Sequence, residues 1–314
     1  MRSFSTSFFV VFLLLVGLSA PVARSAACCI SATGNGVGRL RNWEDWAGGL
    51  TQGAAYGVGR WDTKGRFHLF DAPFDDDAGF TEQEWRSQAW ALYRLSERTQ
   101  FFTLVPALVT RRSARGVQAV GGGVGDVQAG VRYEVIEIGE YLELPALAFT
   151  ASFQAPTGRI LAHSFEPLGV DATGRGAWVL AFGASIEKTF APFFVQLNLG
   201  VGQPAPLVRE NTHQVQWFGT NFNAALVSGW EVFPELLVLY ASANASWEAP
   251  LTMDLEWVPN SDRTTLGLGA GLSWIFHAHW TLVASVDTGL YADFLGKNTF
   301  GATRFSTGIR YGHF

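Results

Sequence analysis

Three features of the 314-residue sequence predict an all-β chain, folded as a 12-stranded antiparallel up-and-down transmembrane β-barrel of the bacterial outer membrane. Apolar and polar residues alternate with period two over stretches of about ten residues, the length that crosses a bilayer at a tilt. No stretch beyond the N-terminus holds the roughly 18 consecutive apolar residues of a membrane helix, so a closed barrel is the route left into a membrane. Connections run long, short, long, short along the chain, as in barrels with tight periplasmic turns and longer outer loops. Composition agrees. Only 16% of residues are charged, against about 25% in soluble domains. That is too little charge for a water-soluble shell, and too much apolar content for a disordered chain. A net charge of −5 offers nothing to nucleic acid.

Residues 1–27 read as a signal peptide. Arg2 leads an apolar run from Phe8 to Leu18, and the small residues Ser25, Ala26 and Ala27 follow. Cleavage falls after Ser25 or after Ala27. The second choice leaves Cys28 in front, although Ser25 stands where a lipoprotein signal carries leucine. Loss of Arg2 and Arg24 leaves 20 basic against 27 acidic residues, a net charge of −7. Residues 28–50 form a periplasmic N-terminal segment. Leu40, Trp43, Ala47 and Leu50 share helical spacing, so three readings stand: a short helix, a plug carrying Trp43 and Trp46 into the bore, or an ordered lead into the first strand. The only cysteines, adjacent Cys28 and Cys29, cannot staple a domain, and no cofactor is expected.

The barrel is expected over residues 51–314. In Asp126–Ile136, Val127, Ala129, Val131, Tyr133 and Val135 oppose Asp126, Gln128, Gly130, Arg132 and Glu134. Ala177–Lys188, Phe193–Gly202, Thr264–Ile275, His279–Ala292 and Arg304–His313 alternate in the same way. Five short turns are expected: Glu97–Thr99, Glu137–Glu140, Thr189–Pro192, Phe233–Glu235 and Phe276–Ala278. Six longer loops alternate with them: Asp71–Thr81, Ser113–Gly122, Pro156–Gly176, Pro204–Gln216, Ala249–Arg263 and Asp293–Gly301. Twelve strands result, with both ends in the periplasm. Large aromatics gather at both ends of the strands, among them Tyr93, Tyr133, Trp230 and Trp280 near the turns and Trp85, Phe153, Trp178 and Trp247 near the loops. Two such belts suit the two membrane–water interfaces. The last residue, Phe314, falls out of register with Phe305, Ile309 and Tyr311. A bulge restores it, or it hangs in the periplasm. A terminal strand ending in phenylalanine also points to the barrel-assembly machinery as a partner.

Candidate chemistry lies on the inward faces. Asp126, Arg132, Glu187, Asp287, Arg304 and Arg310 are the lumen or constriction candidates, with Arg86, Arg94 and Glu134 beside them. A basic residue facing lipid at mid-membrane costs about 2–4 kcal/mol, so these charges belong in the bore. Their mixed signs allow bracing of the wall or a selectivity constriction. Gly267, Gly269 and Gly271 leave a bare inward strip, either a groove for a solute or room for neighbouring side chains. The acidic run Asp71, Asp75, Asp76 and Asp77 lacks the pattern of a calcium loop and reads as a solvated outer loop near lipopolysaccharide. His163 and His213 sit on long loops with no serine or aspartate partner set by spacing, and His277 and His279 sit at a turn. The sequence therefore reads as non-enzymatic, with no metal site.

Gly123-Val124-Gly125-Asp126, then Arg132-Tyr133, then a short turn, then Pro145 inside Leu142–Gln154, then Pro156-Thr157-Gly158, resembles a bacterial outer-membrane family. That family is described as similar to a protein of the meta-pathway of phenol degradation. The match covers about 35 residues. The resemblance implies an outer-membrane barrel of transport type, for hydrophobic or aromatic compounds. The function expected is a passive channel for small molecules. The alternative is a closed structural or surface-interaction barrel, with an outer-membrane hydrolase behind both. Outer-membrane lipid and lipopolysaccharide are its expected surroundings.

Overall fold

The computed structural model describes residues 38–70, 80–141, 143–208 and 215–314. The signal peptide, Cys28, the acidic run after Phe70 and His213 lie outside the described residues. Twelve antiparallel strands close into one barrel. They are β1 (Trp46–Trp61), β2 (Thr81–Ser96), β3 (Thr99–Ala114), β4 (Val127–Ile136), β5 (Ala146–Ala155) and β6 (Val179–Phe190), then β7 (Phe193–Pro204), β8 (Asn221–Phe233), β9 (Leu237–Glu248), β10 (Arg263–His277), β11 (Trp280–Gly289) and β12 (Thr299–His313). Each strand pairs with its sequence neighbours, and β12 returns to β1, from Trp46 opposite His313 to Trp61 opposite Thr299. That seam leaves no open edge between first and last strands, so their backbone groups are satisfied inside the bilayer. Among the described residues no helix is long and apolar enough to cross a membrane.

The predicted faces are realised. Directly opposed residues share a face, so Leu50, Ala89, Val105 and Ile309 fall on one side, and Gly49, Trp90, Leu104 and Arg310 on the other. The first set is turned outward. Exposed apolar residues such as Leu50, Val105, Phe182, Leu226, Leu268 and Ile309 cover the mid-height of the wall, the surface a lipid-embedded barrel requires. At the ends, rings stack across strands. Trp46 lies 5.4 Å from Tyr311 and Trp280 4.9 Å from Tyr311 in the periplasmic belt; Phe153 lies 4.7 Å from Trp178 and Phe222 5.4 Å from Trp247 in the outer one.

Four features depart from the sequence reading. First, β1 begins at Trp46 rather than at residue 51, because Ala47, Gly49 and the residues that follow pair with β12 and β2 from the start. Second, of the three readings of the lead segment the helix is not formed: residues 38–45 make an irregular turn before the strand. Helical spacing of four apolar residues over so short a segment is outweighed by ladder pairing. Third, Ser113–Gly122 is not an open loop. β3 turns tightly at Arg115 and Gly116, both with positive φ (49° and 79°), and runs back as a strand over Val117–Val124. Positive φ at both central residues marks the hairpin turn whose twist suits flanking strands. Fourth, Phe314 lies beyond the end of β12 and stacks on His279 at 4.4 Å. Its out-of-register position is resolved without a bulge. Outside the barrel, Leu207–Val208, Val215–Trp217, Thr252–Met253 and Glu256–Trp257 form a small sheet over the outer loops.

Candidate channel lumen

The inward faces divide the interior into two halves. In the periplasmic half, side chains fill the bore. Phe194, Val227, Val238 and Tyr240 make one buried cluster. Leu40, Ala47, Leu92 and Phe102 make another, with Trp90 and Leu104 packed against it. Glycines make room: Phe194 lies over Gly229, and Tyr240 over Gly271. In the outer half, inward-facing Asn223 and Ser246 are nonetheless exposed, so there the bore is open to water. Among the described residues the interior is filled unevenly, packed below and lined by solvent-exposed polar side chains above.

The filling includes the chain's own N-terminal segment, Gly38–Asp45. Leu40 is 1% exposed and its amide donates to Gln100 Oε1 at 2.9 Å. Arg41 Nη2 donates to Thr281 Oγ1 at 3.1 Å. Glu44, 1% exposed, receives both terminal nitrogens of Arg310: Nη1 on Oε1 at 2.7 Å, and Nη2 on Oε2. The Arg41 amide also donates to Glu44 Oε2 at 2.8 Å. Arg94 reaches from β2 to the segment's carbonyls, donating to Glu44 O at 2.8 Å and Arg41 O at 2.5 Å. Burial raises the Glu44 carboxyl pKa, but the Arg310 hydrogen bonds and charge, with Arg41 behind them, outweigh it and hold that pKa below the ordinary glutamate value. Gln100 Nε2 in turn donates to Glu134 Oε1 at 3.3 Å, and Arg132 Nε reaches the same oxygen at 3.3 Å. Arg39, Arg132, Glu134, Ser185 and Glu187 line one polar crevice beside the segment.

At the outer end, the loop between β5 and β6 folds inward. Asp126 faces the bore and holds both ends of that loop: Gly158 N donates to its Oδ1 at 2.9 Å, and Arg175 N to its Oδ2 at 3.0 Å. Thr157 Oγ1 donates to Gly125 O at 2.7 Å and accepts from Val127 N at 3.0 Å. The loop tip rests on the Val117–Val124 hairpin, where Val170 is fully buried close to Gly121. Inside the loop Asp171 accepts from Ser164, from Phe165 N and from Arg159 at 2.5 Å, and these donors hold its carboxyl below the ordinary aspartate range. Arg175 Nη2 then reaches Glu248 Oε2 on β9 at 2.7 Å, a strut between distant strands at the mouth.

The structure sorts the predicted residues into four groups. Arg310 latches the segment. Arg132 and Glu187 belong to the polar crevice. Asp287 and Arg304 face each other in register at mid-wall, beside the Glu84–Arg86 ion pair at 3.1 Å. Asp126, with Gly125, Thr157 and Gly158, clasps the outer loop rather than lining a constriction, while Gly123 pairs with Leu108 in the hairpin and Pro156 leads into the clasp. Trp43 and Trp46 are not in the bore: Trp43 is 56% exposed, and Trp46 lies in the outward belt. The segment inserts by Leu40, Arg41 and Glu44 instead. The glycine strip is filled at Gly269 by Asp287 and Ser242, and at Gly271 by Tyr240. Sequence reasoning missed Leu40, Arg41, Glu44, Gln100 and Thr281. The available signal was Glu44, an acid between two tryptophans ahead of the first strand, with Arg310 at an inward position of the last strand.

No family model matches the chain, and no curated protein matches it. Solved structures do. An outer membrane channel from Pseudomonas putida F1 is similar with a TM-score of 0.65 at 15% identity, over 86% of this chain and 95% of that one. The translocator domain of autotransporter NalP from Neisseria meningitidis gives 0.49 at 12% identity, over 85% and 88%. The β domain of the Bordetella autotransporter BrkA gives 0.46 at 13%, over 85% and 99%. At these identities the likeness is one of fold. Closed barrel, lipid-facing belt and fold together make the chain a bacterial outer-membrane β-barrel.

Proposed function

We propose that this barrel is a passive channel for small molecules, gated at its periplasmic end by Gly38–Asp45. One observation carries the reading. Polar inward side chains are solvent-exposed in the outer half, and below them the filling includes a chain segment held mainly by side chains, with backbone bonds to the strands at Asp45. A segment held in that way can leave with the twelve strands still paired, although its ties across the β1–β12 seam go with it. The similar Pseudomonas putida protein is described as a channel, which favours the same class. Lipopolysaccharide around the outer belt, and assembly through β12, belong to this proposal. No catalytic residue is assigned, and the aromatic solute implied by the phenol-pathway resemblance is not required by it.

A second reading has its own support. The Phe194–Val227–Val238–Tyr240 cluster comes from the wall itself, as a permanently closed structural barrel would have it. Single-channel recording in planar bilayers separates the two. The gated channel gives small or rare openings in the intact protein and a several-fold larger conductance once residues 38–44 are deleted. Silence in both, with heat-modifiable folded protein, establishes the closed barrel.

A further inference from the structure

We infer that the outward-facing cup takes a small, uncharged, hydroxyl-rich solute of the polyol type, held on the inner faces of β7, β8 and β9. The inference rests on the channel reading only for where the solute goes next.

The inward positions of this sector in the outer half are Asn198, Asn221, Asn223, Asn244 and Ser246, spaced by small residues such as Gly200 and Gly202, with Glu248 opposite Asn221 at the rim. The one charge among them, Glu248, is paired with Arg175. Asn223 lies over Gly200 and Asn221 over Gly202, so the glycines set these amides against the wall. Asn223 is exposed, and Asn221 and Asn244 are half-buried. The side-chain amides of these three make no hydrogen bond to another described residue, whereas Asn198 already accepts from Gln196 at 3.3 Å. Each free amide offers two donors and an acceptor. Asn221 and Asn223 stand about 7 Å apart along β8. Asn223 faces Ser246 directly and Asn244 diagonally, at roughly 5 and 7 Å. A row of mixed donors and acceptors at such intervals matches successive hydroxyls, each both donor and acceptor.

Charge on the opposite wall argues the same way. Glu84 pairs with Arg86, Glu82 with Arg112 at 2.9 Å, and Asp287 stands opposite Arg304. At the mouth Glu248 pairs with Arg175. Signs are matched locally, so no net field concentrates an ion. An apolar solute fares worse, since it strips water from amides it cannot replace.

The test is nuclear magnetic resonance of the full barrel in detergent micelles, with side-chain amides of Asn221, Asn223 and Asn244 assigned through single Asn→Ser variants. Xylitol is expected to shift all three saturably, while phenol and potassium acetate leave them in place; Asn223→Ser halves the response of the other two or more. Shifts with phenol or acetate, or none with xylitol, overturn the inference. Liposome swelling run in parallel tests the channel separately. Xylitol shifts without swelling, even after deletion of residues 38–44, leave the cup as a binding site and remove the channel. Swelling that is equal for xylitol and for acetate-loaded vesicles, without amide shifts, keeps the channel and removes the polyol.

Discussion

At the scale of single residues, the Glu44–Arg310 pair carries the most. Both side chains are nearly inaccessible, at 1% and 3% exposed. Removing one partner leaves the other charge with less compensation in a nearly inaccessible site, which costs up to about 3–5 kcal/mol. Arg310→Ala is therefore expected to lower the urea midpoint strongly, and Glu44→Gln, which keeps hydrogen-bond acceptance, to lower it less. The pH dependence follows from the depressed Glu44 pKa. Its stabilisation is fully present above the unfolded glutamate value of about 4.3, and is lost as pH falls through the lower folded value. Once the pH is below the folded value the midpoints of wild type and Glu44→Gln should converge; a gap that persists in acid strong enough to protonate every carboxylate contradicts the latch. Arg304 supplies a second expectation. Its loss leaves Glu84 and Asp287 against Arg86 alone, so Arg304→Ala shifts reversal potentials in a potassium chloride gradient toward cation selectivity. Arg310 and Arg304 were legible as inward because a period of two fixes the face of every strand residue. Glu44 was not, because residues 38–45 follow no strand period: their positions depend on which inward side chains await them from strands 50 to 266 residues away.

At the scale of elements, the clasp at Asp126 decides how the outer loop stands. Two backbone amides and the Gln154 side chain, at 3.2 Å, converge on one carboxylate. Charge-assisted bonds of this kind contribute about 1.5–3 kcal/mol each. Asp126→Ala should release the loop, so that trypsin cuts after Arg159 and Arg175 in the variant while the wild type resists under the same conditions. The Gly-x-Gly-Asp and Pro-Thr-Gly motifs were legible as a pair, and their order around a turn is what brings them together. Their function as a clasp was not, because a loop's path over a barrel leaves no periodic trace. The hairpin at Arg115 and Gly116 was missed for a related reason. Gly121-Gly122-Gly123 has no outward side chains to show alternation, and these glycines form strand because Leu108, Val109 and Thr110 pair with them.

Across the whole molecule, strand number and topology were legible because alternating loop lengths encode an up-and-down chain. Inside and outside also differ in kind, and one substitution on each side of β8 measures that. Leu226→Arg places a cation against lipid at mid-height and is expected to cost about 2–4 kcal/mol. Asn223→Arg points into the wet cup and should fold with nearly unchanged stability in the same vesicle-refolding titration. Equal penalties would mean that the bore is as dry as the bilayer. What the sequence withheld at this scale was the asymmetry of the filling, since glycine gaps and the rings that occupy them sit on different strands.

The seam between Trp46 and His313 joins the two strands farthest apart in the chain, where ring closure demands the largest loss of chain freedom. The buried lead segment spans this same joint. Asp45 N donates to His313 O at 2.8 Å, Glu44 grips Arg310 on β12, and Arg41 reaches Thr281 on β11. The cork is therefore also a rivet. Cutting it away should quicken amide exchange along the β1–β12 ladder before that along β8–β9, so that opening a passage and loosening the cylinder are one event.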